Sequence, residues 1–296
     1  MTKPAAVHVP VMLEEVFEAL DLQPGDFYVD GTVGLAGHAS VAKEKVGDDG
    51  LVLGFDWDEQ MLEQAKARLG TVGTRFYRGN FRDIPEVVKE IGRAPNGILL
   101  DLGLNSAQLE DPSRGIAFMF DGPLDMRMDR TTGEPASSYI NRATEDQLER
   151  TMRELGGENW SRRIAKVIID RRKINPITTT ADLVNVVMAA IPPAKRDARI
   201  HPATRVFQAF RIHATRELDR LQDAIELIAM TLAPGGTLVV LSYHDGEDRP
   251  TKHAFRSLSQ DGEFIEITKK PVGPSLEEIA RNPRSRSAKM RVLRRK

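Results

Sequence analysis

The stretch "VDGTVGLAGH" (residues 29–38) sets three glycines, Gly31, Gly34 and Gly37, at every third position directly behind an apolar run and an aspartate. Glycine at a strand-to-helix turn lets a ligand lie against bare backbone, and the N–H groups opening the next helix attract an anion. The spacing is not the Gly-x-Gly-x-x-Gly of a dinucleotide turn. Asp30 sharpens the contrast. A carboxylate there repels a pyrophosphate but welcomes a ligand carrying positive charge. Tight-turn packing alone explains such glycines about as well, so the stretch takes its meaning from its surroundings.

Working outward, short apolar runs alternate with amphipathic segments, the mark of βαβ units and a parallel sheet. "DFYVD" (26–30), "LVLGFD" (51–56), "TRFYRG" (74–79), "GILLDLG" (97–103) and "TLVVLSY" (237–243) read as strands, with "EFIEIT" and "KMRVLRR" closing the chain. "HASVAKEKV" and "EQMLEQAKARL" between them have helical spacing. The span from Leu109 to Arg205 is too long for one crossover. It reads as helices, "TEDQLERTMREL", "WSRRIAKVIIDRR" and "TTTADLVNVVMAAI", each opening after Thr or Asn as a candidate N-cap. The expected architecture is α/β: a sheet domain over 1–109 and 206–296, interrupted by a helical subdomain over 110–205.

Composition narrows the chemistry. With 41% hydrophobic and 29% charged residues the chain is of ordinary globular make-up, and no apolar run approaches a membrane span. The start has no secretory h-region, so a cytoplasmic location is expected. The absence of cysteine excludes disulfides, thiolate metal sites and a thiol nucleophile, and no metal is expected. Net charge is −1, yet the last sixteen residues, "RNPRSRSAKMRVLRRK", hold no acid, which reads as a solvated basic tail unless a partner claims it.

Asp56 ends the second strand about 20 residues past the glycine turn, where an acid can bind ribose hydroxyls. A ribose beside a cationic amino-acid portion describes S-adenosylmethionine. After the fourth strand, "DLGLNSAQLE" sets Asp101, Asn105, Ser106 and Gln108 at the sheet edge where open α/β folds bind ligands. A plain turn with local hydrogen bonds is the alternative. Oxygen acceptors at that point would draw N–H bonds from an exocyclic amine and free its lone pair for attack on a methyl group.

The chain resembles the bacterial small-subunit (16S) rRNA cytosine-N4 methyltransferases. The segments that carry the likeness are "HVPVMLEE", "DGTVGLAGH", "DLGLNSAQL", "RGIAFMFDGPLDMRMD", "RRIA", "RIHPATRVFQAFRI", "LAPGG" and "NPRSRSAKMRV", in order along nearly the whole length. The resemblance implies a Rossmann-like sheet with an inserted helical domain, S-adenosylmethionine as cofactor and a decoding-centre cytidine as target. It also implies that Ala36, Gly37 and His38 meet the cofactor's amino-acid end, Asp56 the ribose and Phe81 the adenine, with Asp101 and Gln108 completing the pocket. Asn105-Ser106-Ala107 stands where the family usually has Ser-Ser-Pro, "SYHDGEDR" where Ser-Phe-His-Ser-Leu-Glu-Asp-Arg is usual, and Thr215 where an asparagine is usual. These departures gather on the substrate side.

A cysteine adduct commonly activates cytosine for methylation at C5, and this chain has none to offer. Direct in-line transfer to an amine is therefore expected, with Asp101, Asn105 and Ser106 orienting it and His244 assisting proton removal or serving the fold. Arg162, Arg163, Arg205, Arg211, Arg294 and Arg295 are the candidates for phosphate contact. The expected partner is small-subunit rRNA or the assembled 30S subunit, and monomer and homodimer both fit. A methyltransferase of another nucleic-acid amine and a non-catalytic RNA-binding relic are the rival readings.

Overall fold

The computed structural model describes residues 10–104, 108–109, 111–128, 130 and 132–296. The apolar runs become strands β1 (Phe27–Asp30), β2 (Leu51–Asp56), β3 (Thr74–Arg78), β4 (Gly97–Asp101), β5 (Thr237–Ser242), β6 (Phe264–Glu266) and β7 (Lys289–Arg295). They form one sheet in the order β3-β2-β1-β4-β5-β7-β6. The first five are parallel, and β7 lies antiparallel between β5 and β6. A parallel strand covered on both faces has no place for polar side chains. Accordingly every residue of β5 is buried, as are Phe27, Tyr28 and Val29 of β1 and Ile98, Leu99 and Leu100 of β4. The Rossmann-like sheet expected from the sequence is the one observed.

The chain divides into two compact units, 1–103 with 220–296 and 104–219. The first unit holds α1 (Leu13–Leu20), α2 (Gly37–Val46), α3 (Glu59–Leu69) and α4 (Ile84–Ile91). The second holds α5 (Ala136–Arg142), α6 (Glu145–Gly156), α7 (Ser161–Arg172), α8 (Thr180–Ala190) and α9 (Thr204–Thr215). After it the first unit resumes with α10 (Leu221–Ala229), α11 (Asp245–Gln260) and α12 (Leu276–Arg281). The expected helical span ended at 205, but the compact unit continues to 219. The reason is α9: Val206, Phe207 and Phe210 share a core with Leu148, Met152, Ile164 and Leu183.

Capping explains two of the three expected helix starts. Thr144 opens α6 and Thr179 opens α8, each in a reciprocal capping box with Gln147 and Asp182. At α7 the expected Asn159 is not the cap. Trp160 holds that position, and the Glu158 carboxylate accepts its N–H at 2.8 Å.

Residues 121–128 of "DGPLDMRMD" are not helical. Gly122 and Thr180 exchange hydrogen bonds, Asp121 accepts the Ala181 N–H at 3.2 Å, and Asp125 takes a two-pronged contact from Arg127. The motif thus splints the start of α8.

Candidate active site

The strand order reverses direction between β1 and β4, and open α/β sheets bind ligands at such a point, off the C-terminal ends of the strands. Three carboxylates end adjacent strands here: Asp56 on β2, Asp30 on β1 and Asp101 on β4. No two are near in sequence. Only the pairing of β2 with β1 and of β1 with β4 gathers them.

The glycine turn fills the space beside them. Gly34 has φ +48°, the left-handed region where a side chain is strained, and its N–H donates to Asp56 Oδ2 at 3.0 Å. Gly31 serves packing: a Cβ there would stand 2.5 Å from Leu100 and 3.1 Å from Phe81. That glycine makes room for the protein itself, as the packing alternative has it, and so does Gly37, where a Cβ would stand 2.5 Å from Pro10. Ala36 caps α2 with φ +59°, a conformation an L-residue adopts at some cost. Gly37 and His38 begin the helix, both buried.

Asp30 is 1% exposed; its Oδ1 accepts the Thr32 N–H at 3.1 Å, and its Oδ2 the Tyr28 hydroxyl at 3.3 Å. Burial pushes its pKa up to about 6, against the pull of His38 and the Thr32 N–H, and the Asp101 charge adds to the rise. Asp56 is likewise pushed up to about 6 by burial, although the Asp58 and Gly34 N–H groups oppose the shift. Two carboxylates held near the point of protonation form a site that gains from a cation.

His38 is buried and stretches between two partners. Nε2–H donates to the Val11 carbonyl at 3.0 Å, and Nδ1 lies 4.0 Å from Asp101 Oδ2. Asp101 Oδ1 accepts the Tyr243 hydroxyl at 2.7 Å, and the Asp101 N–H donates to Thr32 Oγ1 at 2.8 Å. Phe81 is buried in a short 3₁₀ turn capped by Asn80, with the Arg82 guanidinium 4.9 Å over its ring. His244 caps α11, and its Nε2 is 3.1 Å from Glu247 Oε1, off hydrogen-bond geometry and without such a partner among the described residues.

Asn105 and Ser106 lie outside the described residues. Gln108 belongs to the helical unit, where it is buried.

The candidate phosphate contacts divide. Arg162 and Arg163 on α7 and Arg205 on α9 are exposed. Arg211 instead binds Glu217 at 2.7 Å. Arg294 and Arg295 lie in the strand read from "KMRVLRR", but each guanidinium has a partner within the fold. The first donates to Thr237 Oγ1 at 3.2 Å, and the second to the Met230 and Leu232 carbonyls at 3.1 and 2.6 Å. Arg291 of that strand is buried against Asp248 at 2.6 Å.

The residues missed from the sequence are Tyr28, Thr32 and Tyr243. Tyr28 was within reach, because it lies two positions before Asp30 on the same face of β1. Tyr243 was not, since 142 residues separate it from Asp101.

Comparison with known proteins agrees with the resemblance read from the motifs. The model of the MraW methylase family matches residues 5–296. A ribosomal RNA small subunit methyltransferase H of Syntrophotalea carbinolica is 42% identical, with 100% of both chains covered. That of Citrifermentans bemidjiense is 41% identical over 97% of both. A weaker likeness, 13% identity and TM-score 0.42 over 98% of this chain and 99% of the other, is to the structure of an rRNA methylase from Streptococcus thermophilus. The full-length match and the identity to these relatives establish that the chain belongs to the MraW methylase family.

Proposed function

We propose that the protein transfers a methyl group from S-adenosylmethionine to the N4 amine of a cytidine in the decoding centre of small-subunit rRNA. The observation that carries this reading is the gathering of Asp30, Asp56 and Asp101 at the switch point beside the glycine turn. The choice of rRNA follows the relatives, which are ribosomal RNA small subunit methyltransferases H.

The donor set suits the cofactor. The buried Asp30 carboxylate favours a cation, a strand-end acid such as Asp56 suits ribose hydroxyls, and the Phe81 ring suits adenine. Ala36, Gly37 and His38 at the head of α2, with Asp30, would receive the amino-acid end. Bound there, S-adenosylmethionine supplies an electrophilic methyl group on a cationic sulfur.

Asp101, with Asn105 and Ser106, orients the amine and draws its N–H bonds toward oxygen, so that the lone pair points at the methyl carbon. His244 accepts the departing proton. A target at C5 would call for a thiolate adduct, and the chain has no thiol. Arg162, Arg163 and Arg205 meet phosphates. The partner is small-subunit rRNA, free or in the 30S subunit, met in the cytoplasm.

Labelled S-adenosylmethionine incubated with the protein and either rRNA or 30S subunits should yield N4-methylcytidine on nucleoside analysis. Label at C5 would refute the mechanism. No transfer to either substrate, with the cofactor bound tightly, would leave an RNA-binding relic.

A further inference from the structure

Asp101 lies opposite Leu241 in the β4–β5 ladder, and two residues further on Tyr243 reaches back diagonally to it. The 2.7 Å bond from its hydroxyl to Asp101 Oδ1 comes from a side chain anchored at both ends. Its main-chain N–H donates to Glu247 Oε2 at 2.7 Å, and Glu247 is buried. Its ring lies against Gly103, where an added Cβ would come within 3.1 Å of it. Burial first, then the Asp101 charge, hold the phenol well above its ordinary pKa, so it remains a donor. With Oδ1 so engaged, Oδ2 is the oxygen that faces His38 Nδ1 at 4.0 Å.

We infer that Tyr243 is a positioning residue, whose hydroxyl selects one orientation of the Asp101 carboxylate and turns its other oxygen toward the head of α2. The inference rests on the reading of Asp101 as part of the cofactor pocket. It adds the group that sets the direction of that carboxylate and favours its ionised form. The hydroxyl is one atom of the chain, and Tyr243→Phe removes it while keeping the ring on Gly103.

The test is calorimetric titration of S-adenosylmethionine into the full-length protein across pH, with thermal melting of each variant recorded alongside. Tyr243→Phe should weaken binding about two- to tenfold, the range of one hydrogen bond. It should also move the acid limb of the affinity profile to higher pH, because a carboxylate that loses a donor protonates more readily. A purely packing role for Tyr243 would leave that limb in place. In an Asp101→Asn background the effect of Tyr243→Phe should vanish. A profile for Tyr243→Phe that overlays the wild type overturns the inference, as does an equal loss in both backgrounds. If Asp101→Asn itself binds as tightly as the wild type, the reading of Asp101 fails and the inference falls with it. The single Asp101 variant thus tells the two failures apart.

Discussion

Asp30 illustrates what a buried carboxylate costs the fold. Its folded pKa near 6 exceeds the ordinary carboxylate value of 3.8, so between those limits the folded chain holds a proton that the unfolded chain has lost. Stability from this group is therefore greatest below about pH 4 and declines as pH rises through about 6. Asp30→Asn keeps the shape and removes the titration. It should match the wild type in stability near pH 4 and exceed it above pH 6 by on the order of 2–3 kcal/mol, while S-adenosylmethionine binding weakens. Denaturant unfolding at pH 4, 5, 6 and 8 measures this. A stability difference that does not change with pH would contradict the assignment of burial as the cause.

At the scale of elements, β7 turns a run of cations into structure. Antiparallel pairing with β5 and β6 places Arg291, Arg294 and Arg295 against acids, a hydroxyl and the carbonyls that follow α10. Arginine suits this use because its donors are spread over a flat fork with weak hydration. Arg295→Ala should cost about 1–3 kcal/mol, since it leaves two carbonyls without their charged donor. The slope of log RNA affinity against log salt should stay as in the wild type. A flatter slope with an unchanged melting temperature would return Arg295 to RNA contact. Arg172 repeats the device on α7, donating to the Ile140 and Ala143 carbonyls at the end of α5.

For the whole molecule, the three strand-end carboxylates and the exposed candidate phosphate contacts fall in different compact units. The sheet unit holds the three carboxylates, whereas α7 in the helical unit exposes Arg162, Arg163 and Lys166 on one surface. A net charge of −1 conceals this division. Replacing those three by Ala should leave S-adenosylmethionine affinity unchanged and weaken binding of small-subunit rRNA. If each meets one phosphate, the salt slope should fall by about 2, at roughly 0.7 per single-strand contact. Filter binding over a salt series checks it, and an unaltered slope would make α7 a merely solvated face.

The elements and the class of the sheet were legible in the residues alone. Period-2 and period-3.6 patterns, glycine turns and threonine caps are local signals, and they reach from one residue to the next few. Asp30, Gly34 and Asp56 were legible because they occupy fixed places around one βαβ unit. The pairing across the helical insertion was not, because it joins segments that meet only in the folded chain. Nothing local tells Asp101 that Tyr243 will supply its hydrogen bond, or tells the strand residues Arg294 and Arg295 which groups their guanidiniums will meet. The end of the helical unit was hidden for the same reason. α9 has an apolar face that could cover either unit, and which core accepts it is a matter of packing between segments far apart in the chain. Side-chain charge is written in the sequence, but whether that charge meets solvent, a carbonyl or another charge depends on the neighbours that folding supplies.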